Sequence, residues 1–215
     1  NLIALNLIKC AGVPIAAPSA NLFGRPSPTC AAHVIDDLEG KIDMVLDGGV
    51  TEIGVESTVV DLTRRPFRIL RPGGITTEEL ENVMGEIEIN SAKDKIICSP
   101  GMLTHHYSPK AELILVERKN GQIKEMKRLA LKFKKQGKKV GIMATSENQS
   151  KFNGFKIKNM GSSKDLKTCA INLFSVLRNF DKEKIDYIIA EGIEPQGLGL
   201  TIMDRLRRAA TKSIR

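Results

Sequence analysis

From residue 112 onward, short apolar runs alternate with amphipathic helical stretches, and this alternation limits the fold more than any other feature of the chain. Glu112 to Glu117, Val140 to Ala144 and Tyr187 to Ala190 have strand length and aliphatic character, and Phe155 to Asn159 is a further strand candidate. Between them, Ile123, Met126, Leu129, Ala130 and Phe133 recur at helical spacing. So do Leu166, Ala170, Leu173 and Leu177, with Ser163 as the expected cap, and a last helix is expected from Leu200 to Ala210. Strands joined through helices run parallel, and the helices cover the faces of the sheet. Residues 112–215 are therefore expected to form a small Rossmann-like α/β domain with a mainly parallel sheet.

The first half has the same ingredients in a looser order. Leu2 to Ala11 is apolar on most faces and stops at Gly12, a C-cap residue. Val13 to Ala17 and Asp43 to Leu46 are expected as short strands. A helix is expected over Thr29 to Leu38, with Ser27 or Thr29 as N-cap and Pro28 in its first turn. Ser57 to Leu62 and Phe67 to Leu70 are expected as antiparallel neighbours joined around Arg64-Arg65-Pro66. Thr76 with Glu79 three residues on spells a capping box for a helix that ends near Gly85. Ile89 to Lys110 has no sustained period and two Ser-Pro steps, which disfavour helix. It reads as a linker, although Met102, Leu103, His105, His106 and Tyr107 are unlike a passive spacer. The expected division is residues 1–88, a linker over 89–111, and residues 112–215.

Charge divides the chain in the same way. Residues 1–90 carry 7 Lys and Arg against 13 Asp and Glu, whereas residues 113–215 carry 23 against 10. The basic half suits either solvated helix faces or a polyanion, and the absence of aromatic–basic interleaving favours the first. No apolar run approaches the ~20 residues of a membrane span, so no membrane association is expected. Cys10, Cys30, Cys98 and Cys169 are far apart and form no CxxC, which reads as buried or free thiols in a reducing cytoplasm rather than zinc ligands or a disulfide frame.

Four segments concentrate residue types suited to a site. Ala17 to Thr29 (APSANLFGRPSPT) sets small hydroxyl and amide side chains behind an apolar run, where a ligand can approach the backbone closely. Strand, polar loop and helix start together make an anion site, or else an ordinary connection. In Gly54-Val55-Glu56-Ser57-Thr58 the hydroxyls either hold a carboxylate or cap backbone groups. Arg71, before Pro72-Gly73-Gly74, suits a bidentate phosphate contact or a surface ion pair. Ser99 to Pro109 contains His105-His106, but only His33 joins them in the whole chain, so no protein-held metal is expected. Gly197-Leu198-Gly199 is a weak phosphate-loop signal, and neither a P-loop nor a GxGxxG fingerprint is present.

Taken together and in order, these segments resemble the YrdC-type threonylcarbamoyl-AMP synthases in their long two-domain form. The resemblance rests on Pro18-Ser19-Ala20-Asn21 followed by Ser27-Pro28-Thr29, on STVVD at Ser57 to Asp61, and on ILRPG at Ile69 to Gly73. It continues through Ser99 to Met102, His106 to Pro109, and the GLGLTIMDRLRRAA ending at Gly197 to Ala210. It implies the C-terminal portion of a YrdC-like twisted mixed sheet, a linker acting as a lid, and a second α/β domain. The implied reaction joins L-threonine, bicarbonate and ATP into threonylcarbamoyl-AMP and pyrophosphate. Magnesium would enter with ATP, and the product would pass to a tRNA-modifying threonylcarbamoyl transferase. By the same resemblance, Ser19 and Asn21 belong to the catalytic pocket. ATP would meet Ser19, Ser27, Arg71 and Tyr107, and threonine the Ala17 backbone and Ser57. The family's Lys and Arg that precede the PSAN segment have no counterpart here. This implies a chain lacking its N-terminal part, with little or no activity by itself. The alternatives are a related carbamoyl-adenylate-forming enzyme and an RNA-binding module without catalysis, with weak affinity for tRNA or double-stranded RNA.

Overall fold

The computed structural model describes residues 1–89 and 106–215. Among these are six α-helices and two sheets, which share no strand. The first unit comprises α1 (Leu2–Ala11), α2 (Ala31–Leu38), β1 (Val59–Asp61), β2 (Phe67–Arg71), α3 (Thr77–Met84) and β3 (Ile87–Ile89). Its sheet has the order β1-β2-β3 and is mixed, β1 antiparallel and β3 parallel to β2. The second unit comprises β4 (Glu112–Val116), α4 (Gln122–Lys135), β5 (Val140–Thr145), β6 (Lys156–Gly161), α5 (Leu166–Lys182), β7 (Tyr187–Glu191), α6 (Leu198–Ala209) and β8 (Lys212–Ile214). Its strand order is β6-β5-β7-β4-β8, with every pairing parallel. The expected α/β architecture is observed, a mixed sheet in the first unit and a parallel one in the second.

Side-chain alternation explains the second unit's layers. Leu113 and Leu115 of β4, Met143 of β5 and Ile188 of β7 face α5 and α6, meeting Leu173, Phe174, Leu177, Ile202 and Leu206. The intervening Ile114, Val116, Ile142 and Ile189 face α4, meeting Met126, Leu129 and Ala130. Burial on both faces is why these strands read as continuous apolar runs.

Several expectations need correction. Val13 to Ala17 and Asp43 to Leu46 are not strands. Neither segment finds a ladder partner among the described residues, and Val13 and Met44 stay 59% and 76% exposed. The α2 N-cap is Cys30 rather than Ser27 or Thr29, and Pro28 precedes the helix. The hydroxyls expected there are engaged elsewhere: Ser27 donates to Glu56 (2.6 Å), and Thr29 meets His33 through its backbone N–H (3.2 Å) and hydroxyl. Asp165, not Ser163, caps α5: it directly precedes the first helical residue, and its carboxylate accepts the Thr168 N–H at 3.1 Å. The strands β3 and β8 carry no signal in the sequence. Each is three residues long, too short to carry a period, and exists only by pairing with a longer neighbour. Other expectations match closely. Gly12 ends α1 in the left-handed conformation, and the Thr76–Glu79 capping box forms reciprocally. Ser99 to Met102 and His105 lie outside the described residues, as does Cys98. Cys10, Cys30 and Cys169 are free. Among the described residues no helix is long and apolar enough to cross a membrane.

Candidate active site

Loops of the first unit and one helix of the second enclose a cleft of about 520 Å³. Its walls include Ser19, Ser27 and Pro28, the segment from Gly48 to Glu56, and Phe174 of α5. The sequence places no regular structure between residues 41 and 58, where Asp47-Gly48-Gly49 turns and Gly54 allows a close approach. Gly54 has φ +76°, and a Cβ there would stand 2.3 Å from the Ile171 Cα, so the loop lies directly on the α5 backbone. Gly73 is equally constrained: a Cβ would meet the Thr58 nitrogen at 2.2 Å. The 54–58 and 72–74 loops are therefore packed back to back, and Gly74 N–H donates to the Glu56 carbonyl (3.0 Å).

Glu56 is the centre of the polar network. Its Oε1 accepts the Ser27 hydroxyl at 2.6 Å, and its Oε2 accepts Arg205 Nε of α6 at 2.8 Å. Burial pushes its carboxyl upward, but the Arg205 charge and the hydrogen bonds from Ser27 and Arg205 outweigh it and hold the group below its ordinary range. The Arg205 side chain is fully buried and also donates to the Pro72 carbonyl (2.8 Å). Thr201, one turn earlier on α6, donates to the Gly73 carbonyl (2.9 Å).

The residues singled out in the sequence fall into four groups. Ser19 and Ser27 share the cleft wall. Arg71 and Ser57 lie side by side, the guanidinium donating twice to the Ser57 carbonyl at 3.2 and 2.9 Å. Tyr107 is buried, its ring stacked on Phe174 (5.2 Å) with the Arg205 guanidinium on it, so it stands one ring behind the cleft wall. Burial raises its hydroxyl to about 12. His106 stacks edge-on against Tyr107 (4.0 Å), and burial lowers its imidazole. Ala17, Asn21, Ser57 and Arg71 are not among the residues that line the cleft. Asn21 donates to the Leu22 and Arg25 carbonyls, which shapes the loop, and its Oδ1 is buried without a partner among the described residues.

Sequence reasoning missed Arg205, Phe174 and the role of Glu56. Glu56 sits inside a segment flagged for its hydroxyls, and Arg205 inside the GLGLTIMDRLRRAA run. Only their meeting across 149 positions reveals the pair.

The cleft offers small hydroxyls and glycine-rich backbone beside the carboxylates of Glu52 and Glu56. Residues 75–211 match the family described as threonylcarbamoyl-AMP synthase, C-terminal domain. Residues 1–73 match one described as telomere recombination. The threonylcarbamoyl-AMP synthase of Pyrococcus abyssi is 46% identical over 213 residues, which is 97% of this chain and 61% of that protein. The Bacillus subtilis enzyme is 44% identical over 211 residues, 97% of this chain and 60% of that protein. The chain thus spans about three fifths of the length of the curated relatives it matches. The crystal structure of P. abyssi Sua5 complexed with L-threonine superposes with a TM-score of 0.89 at 44% identity, covering 100% of this chain and 64% of that one. A variant of the same protein with a histidine and the following tyrosine replaced by alanine gives 0.88 at 43%, covering 100% and 62%.

Proposed function

This chain belongs to the threonylcarbamoyl-AMP synthase family, and on that premise we propose that its cleft serves the synthesis of threonylcarbamoyl-AMP from L-threonine, bicarbonate and ATP. The threonine amine forms a C–N bond with bicarbonate, and water leaves. A carbamate oxygen then bonds to the α-phosphorus, the Pα–O bond to the β-phosphate breaks, and pyrophosphate departs. Such a displacement asks little covalent chemistry of the protein; it asks for alignment and for charge neutralisation. Magnesium enters with ATP as substrate.

One observation carries the reading: Ser19 and Ser27 stand on one cleft wall beside the Gly48–Glu56 loop, with Ser57 and Arg71 paired at the end of the same loop. Ser19 and Asn21 are assigned to the catalytic pocket. Ser19, Ser27, Arg71 and Tyr107 are assigned to the nucleotide, and Ala17 and Ser57 to threonine. Sua5 of P. abyssi has been solved with L-threonine, which supports threonine as the amino acid. The His–Tyr pair replaced in its variant finds one dipeptide of that kind here, His106-Tyr107. The product then passes to a threonylcarbamoyl transferase acting on tRNA.

The test is threonine-dependent pyrophosphate release from Mg·ATP and bicarbonate by the natural gene product. Release that is lost in Ser19→Ala and Arg71→Ala is expected. Equal release with other amino acids would favour a different carbamoyl-adenylate, and none with any amino acid would overturn the reading. A second reading, RNA binding, is favoured by the exposed Lys124, Lys127, Lys135, Lys138 and Lys139 on and after α4. It requires an affinity for double-stranded RNA that falls steeply with salt and is absent from a variant with these lysines replaced by glutamine.

A further inference from the structure

We propose that Arg205 is a positioning residue through which the second unit sets the geometry and the hydrogen-bonding polarity of the cleft. Arg205 belongs to α6, yet its guanidinium is committed largely to the first unit. Nε donates to Glu56 Oε2 (2.8 Å) and Nη2 to the Pro72 carbonyl (2.8 Å), while Nη1 pairs with Asp204 (2.5 Å) on its own helix. The guanidinium carbon lies 5.2 Å from the Tyr107 ring centroid. One buried side chain thus touches both loops that meet back to back at Gly73, and the aromatic ring behind the cleft wall.

The consequence reaches Ser27. A serine hydroxyl has one proton and two lone pairs. Glu56, kept ionised by Arg205, takes that proton at 2.6 Å, so Ser27 presents lone pairs to the cleft. While this bond holds, Ser27 accepts from an N–H, an O–H or metal-bound water and does not donate to a bare phosphate oxygen. Arg205 therefore fixes the kind of ligand group that this corner of the cleft receives, acting through two intervening residues. Removing the guanidinium leaves a buried carboxylate without its cation. Glu56 then takes a proton or turns outward, and in either case the Ser27 hydroxyl is freed to rotate.

Hydrogen exchange tests the inference directly, on Arg205→Gln, on Arg205→Lys and on Arg207→Gln as a control. Arg207 pairs with Glu117 on the surface, away from the cleft. In Arg205→Gln, amides in 54–58 and 72–75 are expected to exchange at least about tenfold faster, a change equal to one factor of ten in the opening equilibrium, while β5 and β7 keep their protection. Arg205→Lys, which retains a cation for Glu56 but loses the fork to Pro72, restores part of the protection at 54–58 and less at 72–75. Arg207→Gln leaves both loops unchanged. The kinetic counterpart rests on the synthase reading: Arg205→Gln lowers kcat/KM by about 10²-fold through misplacement of the cleft wall, with partial rescue in Arg205→Lys. Unchanged exchange in both loops, or uniform loss of protection across both units, overturns the positioning role. A wild-type protein that releases no pyrophosphate overturns the synthase reading alone, because the exchange result stands without it.

Discussion

The two units are built from similar elements but hold themselves together differently. Among the described residues, the buried hydrophobic core lies almost entirely in the second unit; the first contributes only Ile69 and Ile87. Conversely, every strongly exposed large apolar side chain except Leu131 belongs to the first. The second unit is stabilised by burial on both faces of a five-stranded sheet. The first has a three-stranded sheet with short strands, and its loops are anchored by polar links to the second. Arg205 holds Glu56 and Pro72. Arg178 of α5 holds Asp37 of α2 at 2.7 Å and donates to the Pro26 carbonyl. Arg25 pairs with Asp181 at the end of α5, and its guanidinium also donates to the Ser108 carbonyl at 3.2 Å. The difference teaches that order at the candidate site is borrowed: its loops are placed by the neighbouring unit's helices rather than by a core beneath them.

The contrast breaks most decisively at Arg178. Its side chain and that of Asp37 are 5% and 8% exposed, so removing the cation strands a buried carboxylate. Arg178→Ala is expected to destabilise the α2 region by about 3–5 kcal/mol. Native-state hydrogen exchange should register this in α2 and residues 22–30, with β5 and β7 unaffected. Equal loss in β5 and β7 would mean that the two units unfold as one body, and the contrast would disappear.

Acid sharpens the comparison. Burial raises the Asp37 and Glu56 carboxyls, but their arginine partners outweigh it and hold both below their ordinary values of 3.8 and 4.5. A depressed carboxylate contributes stability that is complete above its unfolded value and is lost as pH falls through the folded one. His33, lowered from 6.5 by burial and by Arg178 and Lys182, acts in the same direction, disfavouring the folded state once pH falls below 6.5. Glu147 in the second unit is lowered to about 2 by the Ser162 hydroxyl and the Ser163 N–H, so its contribution survives to lower pH. Exchange in α2 should begin to rise below pH 6.5 through His33, and exchange in 54–58 should follow below 4.5 through Glu56, both before that in β5 and β7. Simultaneous loss at all these sites would contradict the order. The smallest effect is expected from Thr76→Ala, which removes one half of the capping box and should cost about 1 kcal/mol, read as faster exchange confined to α3.

Much of this molecule was legible before any contact was known. The helical spacing of Met126, Leu129 and Ala130, and of Ala170, Leu173 and Leu177, appears as helices α4 and α5, because an amphipathic period is a local property of the chain. The Thr76–Glu79 box and the Gly12 cap are likewise local and form as read. Of the segments singled out, those holding Ser19, Ser27 and Gly54 to Glu56 line the cleft, since small hydroxyls and turn glycines mark a pocket wall within a few residues. Tertiary structure alone decided what depends on partners distant in sequence. Val13 to Ala17 has strand composition and no ladder, whereas Lys212–Ile214 has almost no strand signal and is a strand because β4 lies beside it. Tyr107 is buried because Phe174 and Arg205 receive it, and Glu56 matters because Arg205 arrives from α6. The period of a helix and the chemistry of a cap are written within one or two turns, whereas a sheet edge or a buried ion pair exists only after the chain has brought together partners from 20 to about 150 residues apart.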